Sequence, residues 1–111
     1  QEYRFAQYVE DWRQKIERVG TLNYPDAARG KFYGSLLLSV TIRADGTVQS
    51  IDVHRSSGVK VLDDAARRIV QLAAPYAAFP PDIRKDTDVI EITRTWTFTN
   101  ADMLQTSARK E

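Results

Sequence analysis

The strongest constraint on this chain is the alternation in residues 35–57, SLLLSVTIRADGTVQSIDVHRSS. Leu36, Leu38, Val40 and Ile42 fall on one face, and Ser35, Ser39, Thr41 and Arg43 on the other, the period of a half-buried strand. Leu37 alone is apolar and out of phase. The Asp45-Gly46 turn signal reverses the chain, and Ile51 and Val53 continue the apolar face. With Arg43 opposite Val48, Val40 faces Ile51 and Leu38 faces Val53, whereas a slip of one residue sets Ile51 against a serine or threonine. A hairpin in this register must lay one face on a core.

Two amphipathic stretches can supply that core. In residues 3–19, Phe5, Tyr8, Val9, Trp12, Ile16 and Val19 recur at three- and four-residue steps among charged residues, which predicts a helix with Gly20 as its left-handed stop. Its Trp12 stripe is read as core, with a docking face for a partner helix as the functional alternative. In the second stretch, Leu62, Ala65, Ala66, Ile69, Leu72 and Ala73 form a small-residue helical face. Asp63 and Asp64 lie in its first turn, where the helix dipole favours them, and Pro75 ends it near Ala74. Between the first helix and the hairpin, Pro25 and Gly30 bracket one short helical turn, and Tyr24, preceding the proline, is pushed to an extended conformation.

Residues 75–86 read as a proline-rich loop. From Asp88 a third strand follows, with Ile90, Ile92, Trp96 and Phe98 on one face and Glu91, Thr93, Thr95 and Thr97 on the other. Arg94 interrupts the apolar face, so it either snorkels past Trp96 or marks a bulge. Residues 101–111 are polar and weakly periodic and read as a frayed helix or disordered tail.

The order helix, strand, strand, helix, strand predicts an α+β fold. It is a two-layer sandwich of a three-stranded, mainly antiparallel sheet with both helices on one face. Residues 1–100 form one domain and residues 101–111 a tail. The 111 residues suffice for a single modest core. The 16 Lys plus Arg nearly balance the 15 Asp plus Glu, which gives no support to nucleic-acid or membrane-surface binding. The chain has no cysteine, so disulfides, zinc–thiolate sites and thiol nucleophiles are excluded. No apolar run approaches the ~20 residues needed to span a bilayer. Because the sequence starts at Gln1 in what reads as mid-helix, a piece excised from a longer chain is the expectation.

Catalytic and metal chemistry find little footing. His54 lies two residues from Asp52 and near Ser56 and Ser57, but the register places Asp52 and His54 on the polar face without a pocket or nucleophile elbow. Asp82, Asp86 and Asp88 lack the glycine turn and bidentate glutamate of a calcium loop. Arg67-Arg68 and Arg29-Lys31 are small basic pairs, and the aromatic residues Trp96 and Phe98 share the buried face with Ile90 and Ile92 instead of offering a stacking platform. No enzyme, no cofactor and no metal site is implied.

Several motifs, in order and spacing, resemble the C-terminal domain of TonB energy transducers. They are Tyr24-Pro25 followed by Ala28, Gly34 with alternating hydrophobic residues, Asp45-Gly46-Thr47-Val48, and Ser56-Ser57-Gly58. Leu62-Asp63 with Ala65-Ala66, Phe79-Pro80 and Trp96-Thr97-Phe98 complete the series, so the match runs over residues 22–99. The resemblance implies a periplasmic, non-enzymatic domain tethered to the inner membrane, where a proton-driven motor complex acts on the anchor. It implies that the domain grips the TonB box, a short extended peptide of an outer-membrane TonB-dependent receptor, by adding it to the third strand. Carried onto this chain, that edge is Val89, Ile90, Glu91, Ile92, Thr93, Arg94, Thr95 and Thr97, supported by Tyr24, Pro25 and Arg29. Some family members carry a basic residue two positions after the proline; here Ala27 stands there, so that contact either moves to Arg29 or is absent.

The residues lead to the same edge independently. With the first hairpin strand central, the third strand is an outer one, and residues 89–98 contain no proline, glycine or lysine to blunt it. An unblocked row of backbone donors and acceptors pairs with an extended peptide while tolerating varied side chains. Coverage by the tail, by the leading helix or by a second copy in a strand-exchanged homodimer is the competing expectation. A cell-envelope scaffolding module using the same edge for a permanent partner is the alternative function.

Overall fold

The computed structural model describes residues 2–108. In chain order the elements are α1 (Glu2–Leu22), a 3-10 turn (Asp26–Ala28), β1 (Gly34–Arg43), β2 (Val48–Arg55) and α2 (Lys60–Ala73). The single-turn α3 (Pro81–Arg84), β3 (Val89–Phe98) and β4 (Leu104–Ala108) follow. The sheet runs β2-β1-β3-β4 with every pair antiparallel, and α1 and α2 cover one face. The α+β sandwich is as expected, but the sheet has four strands instead of three. The fourth comes from the tail, expected as frayed helix or disorder. Residues 109–111 of that tail lie outside the described residues.

β1 is the central strand because its core face is apolar at every second position and meets apolar residues on both sides. Val40 lies between Ile51 and Ile92, and Ile42 between Val48 and Ile90. Leu36, Leu38, Val40 and Ile42 are all fully buried. The pairs Val40–Ile51 and Leu38–Val53 match the expected register, but Val48 sits opposite Ile42 and not Arg43. The register shifts between Thr41 and Ile42, so that one extra residue of β2 is accommodated and Val48 is kept on the apolar row. The turn itself is a three-residue loop. Gly46 N–H donates to the Arg43 carbonyl (2.8 Å), Arg43 N–H donates to the Thr47 carbonyl (2.8 Å), and Gly46 takes φ +91°. A Cβ on Gly46 would overlap the Tyr76 carbonyl, whose own N–H donates to the Gly46 carbonyl at 2.8 Å.

α1 extends to Leu22, past the expected stop. Gly20 is inside the helix, and its missing side chain serves packing: a Cβ there would overlap Leu104 Cδ2 of β4. The rest of the buried stripe is Tyr8, Val9, Trp12 and Ile16. Trp12 meets Trp96 edge to face at 6.5 Å between centroids, and Tyr8 meets Phe79 likewise at 5.3 Å. Burial pushes the Tyr8 phenol up to about 12, and its hydroxyl donates to the Ala77 carbonyl at 2.7 Å. Pro25 sits one position earlier than expected, flanking the 3-10 turn with extended backbone, and Gly30 takes φ +69° after it.

α2 begins behind the Ser56-Ser57-Gly58 break. The Asp63 carboxylate accepts from Ser57 N–H (3.0 Å), Ser57 Oγ (2.7 Å) and Ser56 Oγ, tying the end of β2 to the first turn of α2. Burial works to raise the Asp63 carboxyl, but these hydrogen bonds outweigh it and hold the group below its usual range.

Two outcomes test this packing. Gly20→Ala forces a methyl group into Leu104 and should lower the unfolding free energy in urea by about 1–3 kcal/mol. Combined with Leu104→Ala it should cost less than the sum of the two single changes, because the overlap is gone. Asp63 is bound as a carboxylate more strongly in the folded than in the unfolded chain. Its contribution is therefore fully present above the unfolded value near pH 4 and lost as pH falls through the lower folded value. The urea midpoint of Asp63→Asn should accordingly drop less between pH 7 and pH 3 than that of the unaltered chain.

Candidate peptide-binding edge

Which backbone groups of β3 are available follows from two hydrogen bonds. At one end of the strand, Ala44 N–H donates to the Asp88 carbonyl (2.9 Å), and at the other Thr99 N–H donates to the Met103 carbonyl (2.8 Å). Backbone groups alternate in direction along a strand, and neither ladder of β3 contains a register shift. The even-numbered residues of β3 therefore bond to β1, and the odd-numbered ones point the other way.

β4 occupies part of that outward side. It pairs with residues 94–98, placing Arg94 opposite Ala108, Thr95 opposite Ser107 and Thr97 opposite Gln105. The backbone of Thr95 and Thr97, expected to be free, is thus closed by the chain's own tail. The tail reaches this position through a loop with the same geometry as the first hairpin. Asp102 N–H donates to the Thr99 carbonyl (3.1 Å), Asp102 takes φ +60°, and Thr99 Oγ1 accepts from Ala101 N–H and Met103 N–H. A Thr-Asn-Ala-Asp run that makes a tight turn is a faint signal beside Asp-Gly, and the strand after it has only Leu104 and Thr106 facing the helices.

The outer side of β4 is closed in turn by α1. Glu17 Oε2 accepts from Thr106 N–H (2.8 Å) and Thr106 Oγ1 (3.3 Å), and Thr21 Oγ1 accepts from Leu104 N–H (3.2 Å). Arg13 holds the other Glu17 oxygen at 2.9 Å. Glu17 and Thr21 lie one helical turn apart, so they meet outward-facing N–H groups two residues apart on β4. These capping residues escaped sequence reasoning because nothing local marks a helix glutamate as a strand cap.

What remains of β3 is residues 89–93, which pair with β1 on one side and carry no strand on their outward side among the described residues. The outward groups there belong to Val89, Glu91 and Thr93. The Val89 carbonyl accepts from Thr87 Oγ1 (2.7 Å), and the Thr93 carbonyl from Arg94 Nη1 (2.9 Å). Among the described residues, Glu91 alone of these three keeps both its N–H and its C=O without a partner on the outward side. The Ile90 and Ile92 side chains are buried beneath the helices. Arg94 lies on that same face without a bulge, half-exposed, with its guanidinium curled back to the strand's own carbonyl, so snorkelling is the outcome.

Tyr24, Pro25 and Arg29 are not gathered at this free stretch. Tyr24 packs edge to face on Phe98 at 5.6 Å, and its hydroxyl donates to the Phe32 carbonyl at 3.2 Å. Gly30 N–H donates to Asp102 Oδ1 at 3.2 Å. The segment therefore braces the β3–β4 turn, the far end of β3 from Val89. Arg29 stacks over the Tyr24 ring and pairs with Asp26. With Pro25 and Arg68 it lines a cleft of about 520 Å³ between this segment and α2.

On the helix-free face, Ser39 Oγ lies 2.7 Å from His54 Nε2 and 2.6 Å from Thr93 Oγ1, a chain of polar groups across three strands. Ser39 is 1% exposed, so its hydroxyl is no nucleophile for an incoming substrate. No group of three potential metal ligands is found among the described residues.

Fold and edge together define a one-sided α+β interaction module without a catalytic constellation among the described residues. Residues 21–99 match the family described as the Gram-negative bacterial TonB protein C-terminal. The chain belongs to that family, whose domains are non-enzymatic, periplasmic, and engaged in energy transduction with outer-membrane receptors and inner-membrane motor proteins. Comparisons with curated proteins and with solved structures find no match.

Removing the Glu17 carboxylate should release β4. In Glu17→Ala, amide hydrogen exchange at Thr106 and Leu104 should accelerate at least tenfold while the β1 amides keep their protection, consistent with the roughly 1.5–3 kcal/mol typical of a charge-assisted hydrogen bond.

Proposed function

We propose that this domain captures the TonB box of an outer-membrane receptor by adding it as a strand to residues 89–93 of β3. The domain then transmits proton-motive work from an inner-membrane motor through a tether upstream of α1. The observation that supports the reading is the stretch of β3 centred on Glu91, whose outward side carries no strand among the described residues. Main-chain pairing supplies affinity with little demand on side chains, which suits a module that serves an extended segment. Tension along such a strand loads several hydrogen bonds at once. Tyr24, Pro25 and Arg29 take the role of a brace that fixes the far end of β3, and Arg94 marks where the incoming segment meets the end of β4.

The test is an NMR titration with a peptide carrying a TonB box. Amides of Val89, Glu91 and Thr93 should shift first; shifts centred on Arg67 or His54 would refute the edge. Because the Glu91 N–H points away from β1, Glu91→Pro removes no ladder bond yet blocks an incoming strand. This variant should keep the amide spectrum of the remaining sheet and lose peptide binding at least tenfold.

A further inference from the structure

Glu91 carries information about the partner as well as a backbone pair that is open among the described residues. Its exposed side chain makes no hydrogen bond or ion pair among the described residues. On β3 its same-face neighbours are the uncharged Val89 and Thr93, and across the ladder it faces Thr41 of β1. Arg43 stands diagonally opposite, but its Nη1 donates to Thr47 Oγ1 and the Val48 carbonyl, both at 3.1 Å and on the side of β2. Arg94 projects from the other face of the sheet. Asp86 and Asp88, just before the strand, are also exposed and without ion pairs among the described residues. Arg84 and Lys85, exposed and likewise without ion pairs among the described residues, balance those two aspartates, so the charge at the outward side of β3 is that of the Glu91 carboxylate, in a chain whose formal net charge is +1.

We infer that the segment received here is a basic one, an extended peptide of a partner protein with lysine or arginine at the residue facing Glu91. This rests on the strand-addition reading above and adds to it a choice of partner. Both existing neighbours of β3 are antiparallel. An antiparallel newcomer makes its paired N–H and C=O bonds with Glu91 and sets the facing side chain about 5.5 Å away on the helix-free face. An acidic residue there is repelled by Glu91, and a basic one gains a counter-ion in the Glu91 carboxylate.

The experiment uses two capped seven-residue peptides of alternating valine and threonine, identical except for lysine or glutamate at the centre, titrated into the domain at low salt by NMR. The lysine peptide should bind roughly two- to fivefold more tightly, as expected for one cross-strand ion pair. The overall charge of the domain would favour the other peptide, so a bulk effect has the opposite sign. Glu91→Gln should erase the preference and Glu91→Lys reverse it, and high salt should shrink it. Equal affinities, with both peptides shifting Val89, Glu91 and Thr93, would overturn the charge rule and leave strand addition standing. Shifts centred elsewhere would overturn strand addition itself.

Discussion

The double-sided pairing of β1 is the constraint on which the other elements depend. Its core face offers four fully buried aliphatic side chains, each contributing on the order of 2–3 kcal/mol through burial. They are arranged so that β2 and β3 must each present an apolar residue to the same row. Shifting either neighbour by one residue would turn its whole apolar set to the helix-free side. The helices then have one layer to cover, and the aromatic residues Tyr8, Trp12, Tyr76, Phe79 and Trp96 fill the space between them and the sheet.

The two elements that restrict the edge both lie almost wholly outside the family match. α1 precedes residue 21 except for Thr21 and Leu22, and β4 follows residue 99. They are fitted to each other. Gly20 allows the close approach to Leu104, Thr21 accepts from the Leu104 N–H, and Glu17 accepts from the Thr106 N–H. A sheet that ended at β3 would expose its whole outer side. Among the described residues the end near Phe98 is covered by β4, and β4 by α1, which leaves a shorter opening at the end near Val89.

That opening is itself partly finished. Thr87 and Arg94 each occupy a carbonyl at its margins, so among the described residues Glu91 alone offers both an outward N–H and an outward C=O. Recognition at a short edge depends on fewer backbone bonds, so the side chain beside them carries a larger share of partner choice. The chain of hydroxyls from His54 through Ser39 to Thr93 ties this margin to the opposite side of the sheet.

The identity of β1, β2 and β3, the pairing of Val40 with Ile51, and the one-sided arrangement of the helices were determined by the sequence alone, because period-two alternation admits one face to the core and no other. The same logic made residues 89–98 a strand and exposed the absence of blunting residues in it. What only the tertiary structure decided was how much of that edge stays open. β4 has two core-facing side chains, too few for a periodic signal, and becomes a strand because β3 offers bonds on one side while Glu17 and Thr21 satisfy its other side. Gly20 looked like a stop because glycine commonly follows a helix, and its use in packing became visible only with Leu104 placed against it. Glu91 reads as one polar residue among several in the sequence; the direction of its backbone groups, set by the ladder to β1, is what singles it out.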